Sequence, residues 1–241
     1  MKVQIWSDVA CPFCYIGKKQ LEAALEQFPQ RDQVEVEFKS FELDPHAPKQ
    51  VDYDVHDMLV KKYGMSRSQA IAMNEQVKQV GKEKGVDFQF DPIILTNTFD
   101  AHRFVQYASK AGKGDIVMGE LFKAYFTDGK HVGDHKILLD IAKKVGLDQG
   151  ELQKVLDGQE YAEDVRSDET EAKELGISAV PFFLINDKYS VAGAQSSDTF
   201  LRTLETAWNE QAGQTSNGAF HETACADGMC VVPSSKEERI K

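Results

Sequence analysis

Residues 2–18 read Lys2-Val3-Gln4-Ile5-Trp6-Ser7-Asp8-Val9-Ala10-Cys11-Pro12-Phe13-Cys14-Tyr15-Ile16-Gly17-Lys18. Lys2 to Asp8 alternates as a strand does, with Val3 and Ile5 on one face and polar residues on the other. A helix is predicted to follow, because Leu21, Ala24, Leu25 and Phe28 recur at helical spacing and Pro29 ends the pattern. Val34 to Glu42 alternates again, Val34, Val36 and Phe38 against Glu35, Glu37 and Lys39. The opening is therefore a βαβ unit of an α/β fold, with Cys11 and Cys14 at its strand-to-helix junction.

That junction is chemically special. Backbone N–H groups and the positive end of the helix dipole lie close to the sulfur of a cysteine at a helix start, which favours a negative sulfur. Cysteines so placed have their pKa lowered from about 8.5 to roughly 3.5–7.5, which makes thiolate available at neutral pH. Cys11 is then the attacking thiol, and Pro12 suits the first helical position, where a missing N–H costs nothing. Cys14, about one turn further on and more buried, can resolve a mixed disulfide on Cys11. Two other readings compete. A zinc half-site needs a second Cys or His pair, and no partner of finger-like spacing exists, so no metal is expected. The two cysteines could also be inert core residues, for which the strand–CxxC–helix context would be an accident.

Working outward, strand signals vanish from Asp44 for over a hundred residues. Val55, Met58 and Leu59 begin a helical stretch, and Ser66 with Gln69 makes a capping-box pattern ahead of Ala70, Met73, Val77 and Val80. Helical spacing continues through Ala101, Phe104, Val105 and Ala108, then Val117, Leu121 and Ala124, then Ile137, Leu138, Ile141 and Val145. A further helix from about Tyr161 to Leu175 is closed by Gly176. Phe182 to Asn186 and Tyr189 to Ala192 form a hairpin through Asp187 and Lys188, and Phe200, Leu201, Leu204 and Trp208 mark a last helix. Four segments follow: 1–44 (βαβ), 45–159 (a helical insertion), 160–211 (αββα) and 212–241, an irregular tail rich in Gly, Gln, Ser, Thr and Asn.

Composition excludes several functions. The 241 residues are 41% hydrophobic, enough for a proper core, yet no apolar run approaches the roughly 18 to 20 residues of a transmembrane helix. A membrane is not an expected partner. Nor is nucleic acid, since 28 Lys plus Arg against 39 Asp plus Glu give a net charge of -11, the wrong sign for gripping phosphates. Met1 to Ala10 carries Asp8 and no apolar core of a secretion signal, so the chain is expected in the cytoplasm. In that reducing compartment the four cysteines, as two close pairs, read better as redox or metal chemistry than as structural staples.

Ser7 through Lys18 resembles the active-site segment of the DsbA family of thiol oxidoreductases, in its FrnE-like branch. Phe41-Glu42-Leu43, Asn97-Thr98 with Ala101-His102-Arg103, Val180-Pro181-Phe182 and Gly193-Ala194-Gln195 are similar to later landmarks of that branch, in order. The resemblance implies a thioredoxin-like fold interrupted by a helical insertion, with protein thiols and disulfides as substrates, no cofactor, and a cellular thioredoxin or glutathione system as redox partner. Val180-Pro181 alone reads as punctuation before a strand, since only about 5–6% of X-Pro bonds are cis. The resemblance implies that this bond is cis and forms a substrate groove with Pro12 and Phe13. Pro12-Phe13 departs from the Pro-His of periplasmic DsbA, so strong-oxidant behaviour is not carried over. Kappa-class glutathione transferases and 2-hydroxychromene-2-carboxylate isomerases are similar in architecture but place serine where Cys11 stands. A redox-regulated chaperone is a third class of function. No signature of oligomeric state is present.

Other residues carry two readings each. His102 and Arg103 could line the cleft between the two parts, His102 aiding proton transfer or substrate binding, but a helix-borne histidine is more often a surface or satisfied interfacial residue. Glu42 could accept a proton from Cys14 or simply be a solvated strand end. Asp8 would oppose a thiolate unless it faces solvent. In the tail, Cys225-Ala226-Asp227-Gly228-Met229-Cys230 lets the chain turn back so that a disulfide can close. A second redox pair, a metal site enlisting His221, and an inert tail are its three readings. Some FrnE-like members carry a C-terminal CX₄C, which the resemblance adds to the first.

Overall fold

The structure, a computed structural model, describes residues 1–213, 225, 226 and 228–231. Strand β1 (Lys2–Ser7) runs parallel to β2 (Glu35–Ser40), with α1 (Pro12–Gln27) crossing between them. On its other side β1 pairs antiparallel with β3 (Phe182–Ile185), and β3 with β4 (Tyr189–Ala192). Asn186 and Asp187 take positive φ in the β3–β4 turn, a conformation these two residue types tolerate. This is the thioredoxin-like arrangement, and every helix or strand between β2 and β3 is helical.

Those elements are α2 (Val55–Tyr63), α3 (Arg67–Glu83), α4 (Phe99–Lys110), α5 (Gly114–Phe122), α6 (His135–Lys144), α7 (Gln149–Asp157) and α8 (Ala162–Glu174). The Ser66 hydroxyl and the Gln69 side chain cap α3 reciprocally. A π-helical stretch, Lys123–Thr127, continues α5; the spacing of Val117, Leu121 and Ala124 did not foretell it. The last helix, α9 (Ser197–Gln211), packs with α1 on one face of the sheet.

Two features differ from expectation. The alternation in β1 suggested one solvated face, yet Gln4 is 6% and Trp6 0% exposed. The reason is α8, which covers that face and accepts the Trp6 indole N–H at the Asp168 carbonyl, 3.1 Å away. Within the tail, Cys225–Ala226 and Met229–Val231 form β5 and β6, and β6 pairs antiparallel with β4, giving the strand order β2-β1-β3-β4-β6-β5. Polar composition argued for an irregular segment, but main-chain hydrogen bonding to a free sheet edge needs little help from side chains. His221 lies outside the described residues.

The core is continuous. Val3, Ile5 and Phe183 of the sheet and Ile16 of α1 belong to the same buried cluster as Phe104, Leu121, Leu138 and Leu152 of the helical part. Lys18, 4% exposed, ties α1 to α5 through Asp115 at 2.7 Å. Tyr15 at the start of α1 stacks on Phe122 and meets Phe88 edge-on, so the helical insertion is packed directly against the helix that carries the cysteines. Gly81 of α3 lets that aromatic group close up, since a Cβ there would stand 2.3 Å from the Phe88 ring. Gly81→Ala is expected to cost about 1–3 kcal/mol of stability. A lower urea midpoint at unchanged slope would register this, and an unchanged midpoint would show that the ring gives way freely.

Candidate active site

Cys11 is the N-cap of α1 and Pro12 its first residue, so the thiol sits where the helix leaves its N–H groups unpaired. The loop before it is held from inside. The Asp8 carboxylate accepts from the Ala10 N–H at 3.2 Å and from the Leu43 N–H at 2.7 Å, while the Cys11 N–H donates to the Asp8 carbonyl at 3.1 Å. One acid thus shapes the turn into α1 and anchors it to the chain leaving β2.

Cys11 and Cys14 are both free thiols, 5% and 1% exposed. The Cys11 Sγ donates to the Val180 carbonyl at 3.6 Å. Val180-Pro181 is a cis peptide bond at the entrance to β3, with Val180 half-buried and Pro181 buried. Pro12 is half-buried and Phe13 is 46% exposed, so CxxC, Pro12, Phe13 and Val180-Pro181 occupy one end of the sheet. Burial, and then the neighbouring Cys11, push the Cys14 thiol well up, while the Ser7 hydroxyl and the Asp8 backbone act in the opposite sense. Cys14 therefore holds its proton more tightly than an ordinary thiol.

His102 corrects the expectation of a substrate-facing residue. It is 0% exposed, with Nε2 at 3.4 Å from the Asp8 carboxylate, and is sealed beneath the loop rather than in an open groove. Burial penalises both charges, but their mutual attraction outweighs it. The histidine is held above its ordinary value, and Asp8, aided by the two backbone N–H groups, below the usual carboxylate range. Asp8 therefore neither faces solvent nor acts as a bare charge beside the thiols. His102 Nδ1 is buried with no hydrogen-bond partner among the described residues.

Arg103 also faces away from the cleft. Its guanidinium binds the Glu160 and Gly158 carbonyls at 2.9 Å each, the Val155 carbonyl and Asp100, which pins the α7–α8 connection. Glu42 is buried, not a solvated strand end. Its carboxylate pairs with Arg166 at 2.6 Å, and the group is held above the usual range by burial. The carboxylate is taken up by Arg166 and by the Asn97 side-chain amide, which donates to it.

Cys225 and Cys230 stand opposite one another across β5 and β6, and Cys230 is disulfide-bonded. No group of three or more metal-ligating side chains occurs among the described residues. No helix among them is long and apolar enough to cross a membrane. The Asp8–His102 pair was missed from sequence; its one signal was a histidine bracketed on its helix by the core positions Ala101, Phe104 and Val105.

Known proteins resemble this arrangement. The family model described as a DSBA-like thioredoxin domain matches residues 2–205. A crystal structure of a probable DsbA oxidoreductase from Streptomyces coelicolor is 38% identical, with 97% of this chain and all of that one covered at a TM-score of 0.82. An uncharacterized Bacillus subtilis protein, YwbO, is 29% identical over 205 residues, 84% of this chain and 94% of its own. A 2-hydroxychromene-2-carboxylate isomerase structure matches at a TM-score of 0.66 over 90% of this chain and 100% of its own, but its 15% identity speaks for the fold alone.

Proposed function

The chain belongs to the DSBA-like thioredoxin domain family of thiol-disulfide oxidoreductases, and from that premise we propose that it exchanges or isomerises disulfides of protein substrates through Cys11 and Cys14. The observation that carries this reading is a free thiol at the N-cap of α1, 3.6 Å from the Val180 carbonyl, with a second free thiol one turn on. The Cys11 thiolate attacks a substrate disulfide and expels one substrate thiolate. Cys14, giving up its proton, then attacks Cys11 and releases the second. An extended substrate would lie along Val180-Pro181 beside Pro12 and Phe13, using backbone hydrogen bonds that tolerate many sequences. A thioredoxin- or glutathione-type system in the cytoplasm completes the cycle.

The test is thiol trapping of all four cysteines, by mass spectrometry, in protein taken directly from cells. This reading expects Cys11 in both thiol and disulfide states, including mixed disulfides with other proteins. Uniformly reduced Cys11 with tightly held, non-covalent glutathione would replace it with the transferase or isomerase reading.

Cys225 and Cys230 form a second redox pair in the same proposal. With β4 between β3 and β6, the Cys230 backbone stands roughly 10 Å to the side of β3 by ordinary strand spacing, so exchange with Cys11 requires the hairpin to leave the sheet edge. Cys225→Ser with Cys230→Ser should leave a single turnover at Cys11 intact and slow its recovery between turnovers. Unchanged steady-state turnover in stopped-flow and coupled assays would make the pair inert.

A further inference from the structure

Beside the CxxC lies a cavity of about 500 Å³, bounded by α2, α3, the chain around residues 43–53 and the segment 90–98. Ala10 and Pro12, on either side of Cys11, form part of its wall. Val55, Met58, Phe90 and Ile93 make most of the remainder apolar. Its volume falls within the roughly 300–1,000 Å³ typical of small-molecule sites and is large for one side chain.

Two polar groups in this apolar setting have nothing in the protein to bind. Tyr125 is 3% and Thr98 4% exposed, both line the cavity, and neither hydroxyl makes a hydrogen bond with any described residue. The residues are buried but their hydroxyl oxygens open onto the cavity, so a ligand that enters meets two hydrogen-bonding groups not committed to the protein. At the lining also stand Lys61 and Lys62, exposed and without a carboxylate partner among the described residues, against Asp44 at the outside and Asp8 within, the latter paired with His102. Lys61 Nζ sits 3.5 Å from the centre of the Tyr53 ring. In a chain of net charge -11, two cations that no carboxylate neutralises, at the mouth of an apolar cavity, are a local preference for an anion.

We propose that this cavity binds a low-molecular-weight disulfide with an apolar body and a carboxylate, and presents it to Cys11. The proposal rests on Cys11 being the attacking thiol. The Cys11 thiolate attacks the near sulfur; a Cys11–S bond forms, the ligand S–S bond breaks, and one thiolate leaves and takes a proton from water. Cys14 loses its proton, attacks Cys11 and expels the second thiolate. The ligand gains two electrons, and Cys11 and Cys14 become a disulfide.

The test uses full-length reduced protein and three probes: dithiobisnitrobenzoate, aromatic and anionic; dithiodipyridine, aromatic and neutral; and hydroxyethyl disulfide, small and polar. With the first, the rate of Cys11 modification should saturate with concentration, the mark of binding before reaction. Filling the cavity with Ile93→Trp should lower the rate ratio of dithiobisnitrobenzoate to hydroxyethyl disulfide by about tenfold, as lost apolar burial predicts. Lys61→Gln with Lys62→Gln, a surface change that spares folding, should lower the ratio of dithiobisnitrobenzoate to dithiodipyridine about threefold, the worth of exposed charge contacts. Unchanged ratios in both variants would overturn the proposal. So would an Ile93→Trp protein in which reduction of a disulfide-bonded peptide falls as far as that of the aromatic probes, since the cavity would then take a substrate side chain. Failure of hydroxyethyl disulfide to modify Cys11 in the unaltered protein would instead strike at the dithiol chemistry itself.

Discussion

Cys11→Ser is expected to bring thiol-dependent insulin reduction down to the uncatalysed background, a loss of roughly 10³-fold or more, as when the nucleophile of a covalent mechanism is removed. The asymmetry between the two cysteines gives the sharper result. Cys14 is 1% exposed and its thiol is pushed well up, so it attacks only a sulfur already delivered to its side, the Cys11 end of a mixed disulfide. Cys14→Ser should therefore let the first step proceed and block the second, accumulating Cys11–substrate adducts visible on non-reducing gels. Equal trapping by the two variants would reject this division of labour.

Breaking the Asp8–His102 pair should have the largest effect on stability. Either Asp8→Asn or His102→Leu leaves one sealed group without its partner, a change that typically costs about 3–5 kcal/mol. Asp8→Asn also weakens the acceptor for the Ala10 and Leu43 N–H groups, so the loop carrying Cys11 should loosen. The pH dependence has two limbs. His102 is held above its ordinary 6.5, so its contribution is whole below that pH and fades as pH rises through the raised value. Asp8 is held below its ordinary 3.8, so its contribution is whole above that pH and fades as pH falls through the lowered value. Urea midpoints of the unaltered protein should fall on both sides of the window between, and the alkaline limb should vanish in His102→Leu. An unfolding free energy of His102→Leu within about 1 kcal/mol of the unaltered protein would show that the pair contributes little, as surface pairs do.

What the sequence made legible was local. The strand, Cys11, Pro12 and the helical repeat of Leu21 and Ala24 lie within one βαβ unit, and the Ser66 capping box within one turn, so spacing alone reveals them. The burial of Gln4 and Trp6 was not legible, because alternation describes one strand and says nothing about a helix such as α8 arriving from far along the chain. His102 and Asp8 failed for the same reason. Each has an unremarkable local setting, and only the packing of α4 beneath the CxxC loop turns them into a buried ion pair. The cavity is invisible in the sequence because its walls come from five separated segments, each of which reads as ordinary core or loop.

The pairing of β6 with β4 bears on how this protein coexists with its own copies at high concentration. Without it, Tyr189–Ala192 would be a boundary strand with a row of unpaired N–H and C=O groups, a template on which another extended chain can register. With it, β4 is interior, and the boundary on that side passes to β5, two residues long. A strand of that length offers too few hydrogen bonds to hold a newcomer. The hairpin bearing Cys225 and Cys230 thus also works as a cover against self-association, and anything that draws it off the sheet uncovers an adhesive edge.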